Sequence, residues 1–296
     1  MNYIVSMDLG SNSFRVLKYD YVNQKELGEY EKVVATADGL SQSGHISDEA
    51  IQRITTAINE SIQKLDFDPK EALCITTAAM RKAKNSAYVL ATIKEQTNAE
   101  FKIIDGDKEA ELTLLAIKNA IQRHGFDNQR FLFVDIGGAS SELVIVENET
   151  VKKKSFDFGI VTMSQSLDNN QALLDAQKDV KEFLEDKDLK GFGFYATAGT
   201  PTTIAAIKQG LNYQTYDKHI VNGTVITKED LAYYKNLFST SPQSEISPLV
   251  GSRKIEFVIM GVKIFDMFYD TLGFNESIVF DDGLKEGIVI EALQNL

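Results

Sequence analysis

Two hydrophobic rhythms alternate along this chain. Short apolar runs bounded by polar, glycine-bearing turns read as strands, and longer segments with apolar residues every three or four positions read as helices. Residues 3–7, 14–20 and 29–36 predict strands, with a turn over 23–28. A helix is expected over 47–65, where Ser47 can cap it and Ala50, Ile51, Ile54, Ala57, Ile58, Ile62 and Leu65 share one face. Then follow a strand over 72–76, a helix over 85–96, a strand over 101–104 and a helix over 107–122 closed by Gly125. The second half restarts in the same way. Strands are expected over 131–134, 142–147 and 151–156, with a turn at Asn148. Helical pattern runs over 162–184, then a strand over 192–197 and a helix from 202 to 208. Helices over 228–238, 254–272 and 284–293, and a strand over 277–280, complete the reading.

The fold class is therefore α/β, with a weak internal repeat. Asp8-Leu9-Gly10 and Asp135-Ile136-Gly137 each follow an apolar strand and precede another. The expected division is into two similar lobes, 1–124 and 125–296.

Composition narrows the class of partner. Lys plus Arg number 31 against 43 Asp plus Glu, a formal net charge of -12. That excess argues against duplex nucleic acid and against a polybasic membrane contact, both of which need clustered cations. The lone cysteine, Cys74, rules out an intramolecular disulfide, and its apolar neighbours mark it as a buried small hydrophobe. No basic segment precedes the first strand and no apolar run reaches the roughly 18 residues of a span, so neither a signal peptide nor a membrane helix is expected and a reducing cytoplasm is. His45, His124 and His219 are scattered without metal-ligand spacing. Lys152-Lys153-Lys154 reads as a solvated strand start.

Three loops carry candidate chemistry. Asp135-Ile136-Gly137-Gly138-Ala139-Ser140-Ser141 sets a strand-end carboxylate before glycines whose backbone N–H groups can converge on an anion. Ser140 and Ser141 add hydroxyls, and Asp135 and Glu142 suit a hard cation such as Mg2+. A plain hairpin turn would use similar residues. Asp8-Leu9-Gly10-Ser11-Asn12-Ser13 repeats the arrangement. Ala198-Gly199-Thr200-Pro201 leads from a strand into a helix, with Pro201 in the first turn, where its missing N–H costs nothing.

Collinear motifs then point to one family. Asp8 to Arg15, Arg81, Gly106-Asp107-Lys108-Glu109-Ala110 and Asp135 to Leu143 together resemble the exopolyphosphatase/guanosine pentaphosphate phosphohydrolase family. Ala198-Gly199-Thr200 and Gly283-Leu284-Lys285-Glu286-Gly287 look like its downstream motifs. The resemblance implies two ribonuclease-H-like lobes, as in sugar kinases, actin and chaperone ATPases, with the active site in the cleft between them. It implies Glu109 as the base that activates water and Arg81 beside the scissile phosphate. Asp135, Glu142 and Asp8 would bind or orient Mg2+, or Mn2+, which accepts the same oxygen ligands. Gly10, Ser11, Asn12 and Ser13, with Gly137, Gly138, Ala139, Ser140 and Ser141, would cradle phosphates. Arg15, Gly199, Thr200 and Arg253 would handle the nucleotide.

The implied activity is Mg-assisted release of terminal phosphate from inorganic polyphosphate, conversion of guanosine pentaphosphate to tetraphosphate, or both. The alternatives are a guanosine polyphosphate sensor without hydrolysis, or an ATP-dependent kinase or ATPase. The partners are small polyanions, with a homodimer suggested by two-domain relatives. Departures are Lys108 for one of two adjacent glutamates, Ala139 for a glycine and Lys285 for an arginine. The extra C-terminal helical region of larger members is not expected here, and neither is strong processivity on long chains.

Overall fold

In the computed structural model, residues 2–251 and 255–296 are described. They form two compact units, Met1–Ala116 with Asp282–Leu296, and Ile117–Asp281.

The first unit is built on a five-stranded sheet of order β3-β2-β1-β4-β5. β1 (Tyr3–Leu9), β2 (Ser13–Asp20) and β3 (Lys25–Val33) make an antiparallel meander, and β4 (Leu73–Thr76) and β5 (Phe101–Ile103) extend it in parallel from β1. Its helices are α1 (Leu40–Ser43), α2 (Asp48–Leu65), α3 (Ala78–Lys82), α4 (Ser86–Thr97) and the start of α5 (Gly106–Arg123). Ser47 caps α2 as expected, accepting from the Ala50 N–H at 3.2 Å. β3 begins earlier than the sequence suggests. Gly28 lies inside it rather than in a turn, and a Cβ there would stand 2.8 Å from Leu65 Cδ2. Cys74 is buried, and that burial pushes its thiol up to about 12.

The second unit carries a six-stranded sheet of order β10-β11-β9-β6-β7-β8. β6 (Arg130–Ile136), β7 (Ser141–Glu147) and β8 (Thr150–Phe156) repeat the meander. After α6 (Ile160–Ser164) and α7 (Asn169–Leu184), β9 (Gly193–Thr197) pairs with β6 in parallel. Next come α8 (Gly199–Lys208), α9 (Lys218–Val221), β10 (Thr224–Thr227), α10 (Lys228–Thr240), α11 (Gln243–Val250), α12 (Ile255–Leu272) and β11 (Glu276–Val279). The order β8-β7-β6-β9-β11 thus matches β3-β2-β1-β4-β5, with β10 added antiparallel at the edge. The repeat seen in the two Asp-containing loops is a repeat of whole sheets.

One face of this second sheet is the main core. Leu132, Val134, Ile136, Leu143 and Ile145 pack there with Phe265, Phe268 and Tyr269 of α12. The helical pattern over 162–184 resolves into two helices, because Asp168 accepts from the Asn170 and Gln171 N–H groups and starts α7 afresh. At α10, Thr227 and Asp230 form a capping box, and Lys208 reaches Asp230 at 2.6 Å. Burial raises the Asp230 carboxyl, but Lys208 and the Thr227 backbone pull harder, and the net shift is downward. A depressed carboxylate stabilises the fold above its unfolded value and loses that contribution as pH falls through the folded one. Asp230→Ala should cost about 1 kcal/mol at neutral pH, and urea melts should show the gap closing below about pH 4. A gap independent of pH would contradict this assignment.

α13 (Leu284–Gln294) returns the chain to the first unit. Leu284 and Ile288 pack on Leu112 of α5, and Ser6 of β1 donates to the Lys285 carbonyl at 2.7 Å. The compact units therefore depart from the division at 124/125. Residues 282–296 join the first unit, and residues 117–124, of which 117–123 continue α5, join the second. A Cβ at Gly287 would lie 2.0 Å from the Leu112 carbonyl oxygen. Gly287 is thus a helix-crossing residue, and Gly287→Ala should destabilise the protein by about 1–3 kcal/mol. Thermal denaturation checks this, and an unshifted melting temperature would refute it.

Candidate active site

In the first unit, Asp8 sits at the end of β1, buried, with Arg15 of β2 as its register partner. Arg15 pairs in turn with Glu31 of β3, and its Nε lies 3.5 Å from the Glu31 carboxylate. The turn from Gly10 to Asn12 is held from one side. Ala37 N–H donates to the Ser11 carbonyl at 2.8 Å, and Val34 and Ala35 N–H groups both donate to the Asn12 carbonyl at 2.9 Å.

Arg81 and Glu109 meet in this unit. Arg81 comes from the short α3 after β4, and Glu109 from the first turn of α5 after β5. Arg81 Nη1 donates to Glu109 Oε2 at 3.1 Å and to the Ile104 carbonyl at 2.7 Å. Their side chains are 23% and 12% exposed, so the pair is shielded but reachable. Lys108, one position earlier, turns elsewhere. Its ammonium contacts Glu111 at 2.8 Å and Glu291 of α13, and the hydrogen bonds it donates to these two carboxylates hold its pKa above the usual lysine value. The departure at 108 is therefore a tie between α5 and α13. Of the other two departures, Ala139 is buried, and Lys285 is buried and paired with Glu286 at 2.8 Å.

In the second unit, Asp135 at the end of β6 is flanked by Glu142 on β7 and Thr197 on β9, and Glu142 by Ser155 on β8. Direct register partners share a face, so these four form one polar row across the sheet. Glu142 is 1% exposed, and its Oε1 accepts from Ser155 Oγ at 2.7 Å. Ser155 and Thr197 are additions to the sequence reading. The register follows from counting back from Asn148, whose φ of 56° marks the turn joining Glu147 to Thr150. Ser141 is different. Its partners Ile136 and Phe156 belong to the core face, and its hydroxyl is buried without a hydrogen-bond partner. It stands on the opposite face from Glu142 and not with the polar row, because side chains alternate along a strand.

The loop from Gly137 to Ser140 is tight. A Cβ at Gly137 would sit 2.8 Å from the Ser140 carbonyl oxygen. At the third loop, Ala198 has φ 71° and ψ -172°, a strained backbone for an alanine, directly before Gly199 opens α8. Thr200 is buried against Gly261 of α12, where a Cβ would be 2.0 Å from its Oγ1. Arg253 lies outside the described residues.

The donor set suits Mg2+ on chemical grounds. Asp135 and Glu142 offer two hard carboxylates on neighbouring strands, the number Mg2+ takes when the rest of its shell is water and substrate oxygen. Among the described residues no group of three His, Cys, Asp or Glu side chains forms a closed metal cage. Asp8 belongs to the first unit, and Asp135 and Glu142 to the second.

The model of one protein family, the Ppx/GppA phosphatase family, matches residues 19–296. The chain belongs to the Ppx/GppA phosphatase family. Among Ppx/GppA relatives, a guanosine-5'-triphosphate,3'-diphosphate pyrophosphatase of Aliivibrio fischeri is 26% identical over 98% of this chain and 60% of its own length. A bifunctional 3-dehydroquinate synthase/phosphatase of Fusobacterium nucleatum is also 26% identical, over 98% of this chain and 46% of its own. The chain thus spans about half to three-fifths of the curated relatives it matches. Two solved structures agree with the Ppx/GppA fold. An exopolyphosphatase of Cytophaga hutchinsonii superposes with a TM-score of 0.85 at 20% identity, covering 99% of this chain and 98% of that one. The Aquifex aeolicus family member gives 0.74 at 21%, covering 99% and 98%. The two-sheet α/β fold of the chain stands with them. Among the described residues, no helix is long and apolar enough to cross a membrane.

Proposed function

We propose that this chain is a cytoplasmic phosphoanhydride hydrolase, releasing terminal phosphate from inorganic polyphosphate, converting guanosine pentaphosphate to tetraphosphate, or both. The observation that carries the reading is the Arg81–Glu109 pair. Two residues 28 positions apart, on the separate helices α3 and α5, are brought within 3.1 Å. Phosphoryl transfer needs a positioned nucleophile and neutralised charge on the transferring group. Glu109 holds the attacking water and takes its proton. Arg81 fixes the Glu109 carboxylate and offers its guanidinium fork to phosphoryl oxygens; both of its bonds here use Nη1, one of several donor atoms.

Asp135 and Glu142 would hold Mg2+, which supplies Lewis-acid neutralisation of phosphoryl charge when bound. Ser155 donates to Glu142 and holds that carboxylate in place. Backbone N–H groups of the Ser11–Asn12 turn and of Gly138 bind the non-transferred phosphates, with Gly199 at the start of α8 and Arg15 serving a nucleoside portion. The ligands are small polyanions, and the net charge of -12 poses no obstacle, because backbone amides and a cation do the binding.

The test is phosphate release with Mg2+ from long polyphosphate, tripolyphosphate, guanosine pentaphosphate and ATP. Release from one of the first three is expected. Release from none overturns the hydrolase. Tight guanosine pentaphosphate binding without release would favour a sensor, and consumption of ATP alone would favour an ATPase.

A further inference from the structure

The loop from Gly137 to Ser140 is held from behind by the chain that follows β8. Ile160 N–H donates to the Gly137 carbonyl at 2.9 Å. Val161 and Thr162 N–H groups donate to the Gly138 carbonyl at 2.7 and 3.3 Å. These are first-turn amides of α6, which have no partner within their own helix. Instead of facing a ligand, they are spent on the loop.

The consequence follows from the trans peptide. In each peptide unit the N–H points opposite to the C=O. Drawing the Gly137 carbonyl toward α6 turns the Gly138 N–H of the same peptide to the other side. Gly159 makes this approach achievable. A Cβ at position 159 would lie 2.7 Å from Ala139 N, Gly137 O and Gly138 C, all backbone atoms with no flexible end to yield. The backbone of Gly159 is extended, so the requirement for glycine is one of space and not of φ. Thr162 closes the arrangement, its Oγ1 accepting from Gly159 N–H at 2.9 Å.

The first unit holds its turn in the same manner. The segment after β3 donates through Val34, Ala35 and Ala37 to the Ser11 and Asn12 carbonyls. The same device occurs at the matching place in each sheet order, once with a helix start and once with a loop.

We propose that Gly159 and the first-turn amides of α6 are positioning elements that aim the Gly138 N–H at substrate phosphate. The inference rests on the hydrolase reading above. Its test compares wild type with Gly159→Ala and Ile160→Pro. Proline is tolerated at a first helical position and removes only the N–H that serves Gly137. Gly159 is extended, as a residue preceding proline should be. Kinetics with tripolyphosphate should show the KM of Gly159→Ala raised by about tenfold or more, and that of Ile160→Pro by a smaller factor, since hydrogen bonds to charged groups are at stake.

KM is the discriminating quantity. A variant that merely unfolds in part loses active molecules, which lowers apparent kcat and leaves KM unmoved. Val221→Ala, a core truncation elsewhere in the same unit, supplies that comparison. If Gly159→Ala does not fold, Ile160→Pro carries the test alone. Wild-type KM in the folded variants, or an equal KM rise in Val221→Ala, overturns the inference. Wild type inert toward every phosphoanhydride is a different result, for it removes the hydrolase reading itself and this inference with it.

Discussion

Glu109→Gln should lower phosphate release by about 10²–10⁴-fold, the range over which a positioned general base contributes. The substitution keeps shape and a hydrogen-bonding oxygen, so Arg81 keeps a partner at 3.1 Å and the start of α5 is undisturbed. Binding of tripolyphosphate by calorimetry should change little, because the phosphate-facing groups lie on other segments. The loss should fall on kcat and not on KM. Single-turnover release separates chemistry from product departure. A variant that turns over at the wild-type rate would falsify the assignment of the base.

Asp135→Asn should have the second-largest effect. Asp135 and Glu142 are neighbours on β6 and β7, and removing one carboxylate halves the anionic donor set. The Mg2+ concentration needed for half-maximal activity should rise by about 10²-fold, and calorimetric Mg2+ affinity should weaken in parallel. Ser155→Ala offers a graded companion. It removes the 2.7 Å hydrogen bond to Glu142 and leaves both carboxylates, so its effect should be smaller. An unchanged Mg2+ dependence in Asp135→Asn would place the metal elsewhere.

Much of the molecule is legible in its sequence. Strand–turn–strand periodicity located β1, β2, β6 and β7 to within a residue or two, because buried strands are short apolar runs with sharp polar ends. The paired Asp loops correctly signalled a repeat. β10 escaped, being four residues with two threonines and no clear alternation. The break between α6 and α7 escaped because apolar residues keep helical spacing across it, and only the Asp168 cap marks the boundary.

Ser141 shows a different limit. The string Ser140-Ser141 suggests two equal hydroxyls, yet alternation puts Ser141 on the core face with Ile136 and Phe156. The contacts that require Gly159, Gly261 and Gly287 are illegible for a third reason, although Gly287 stands in the motif Gly283-Leu284-Lys285-Glu286-Gly287. Each glycine is required by a contact from a segment distant in sequence, and nothing local to the glycine records it.

The return of residues 282–296 to the first unit bears on how the chain is made. Synthesis runs from the N-terminus, so the whole of Ile117–Asp281 is available before α13 exists. The second unit holds all of its strands by then and can close on its own timetable. The first unit cannot. Its sheet is complete by Ile103, but Ser6 and Leu112 lack the helix that covers them until Leu284–Gln294 has been made. The unit whose sheet is made first is thus completed only after the chain of the second, and in the interval it stands as a sheet awaiting its lid.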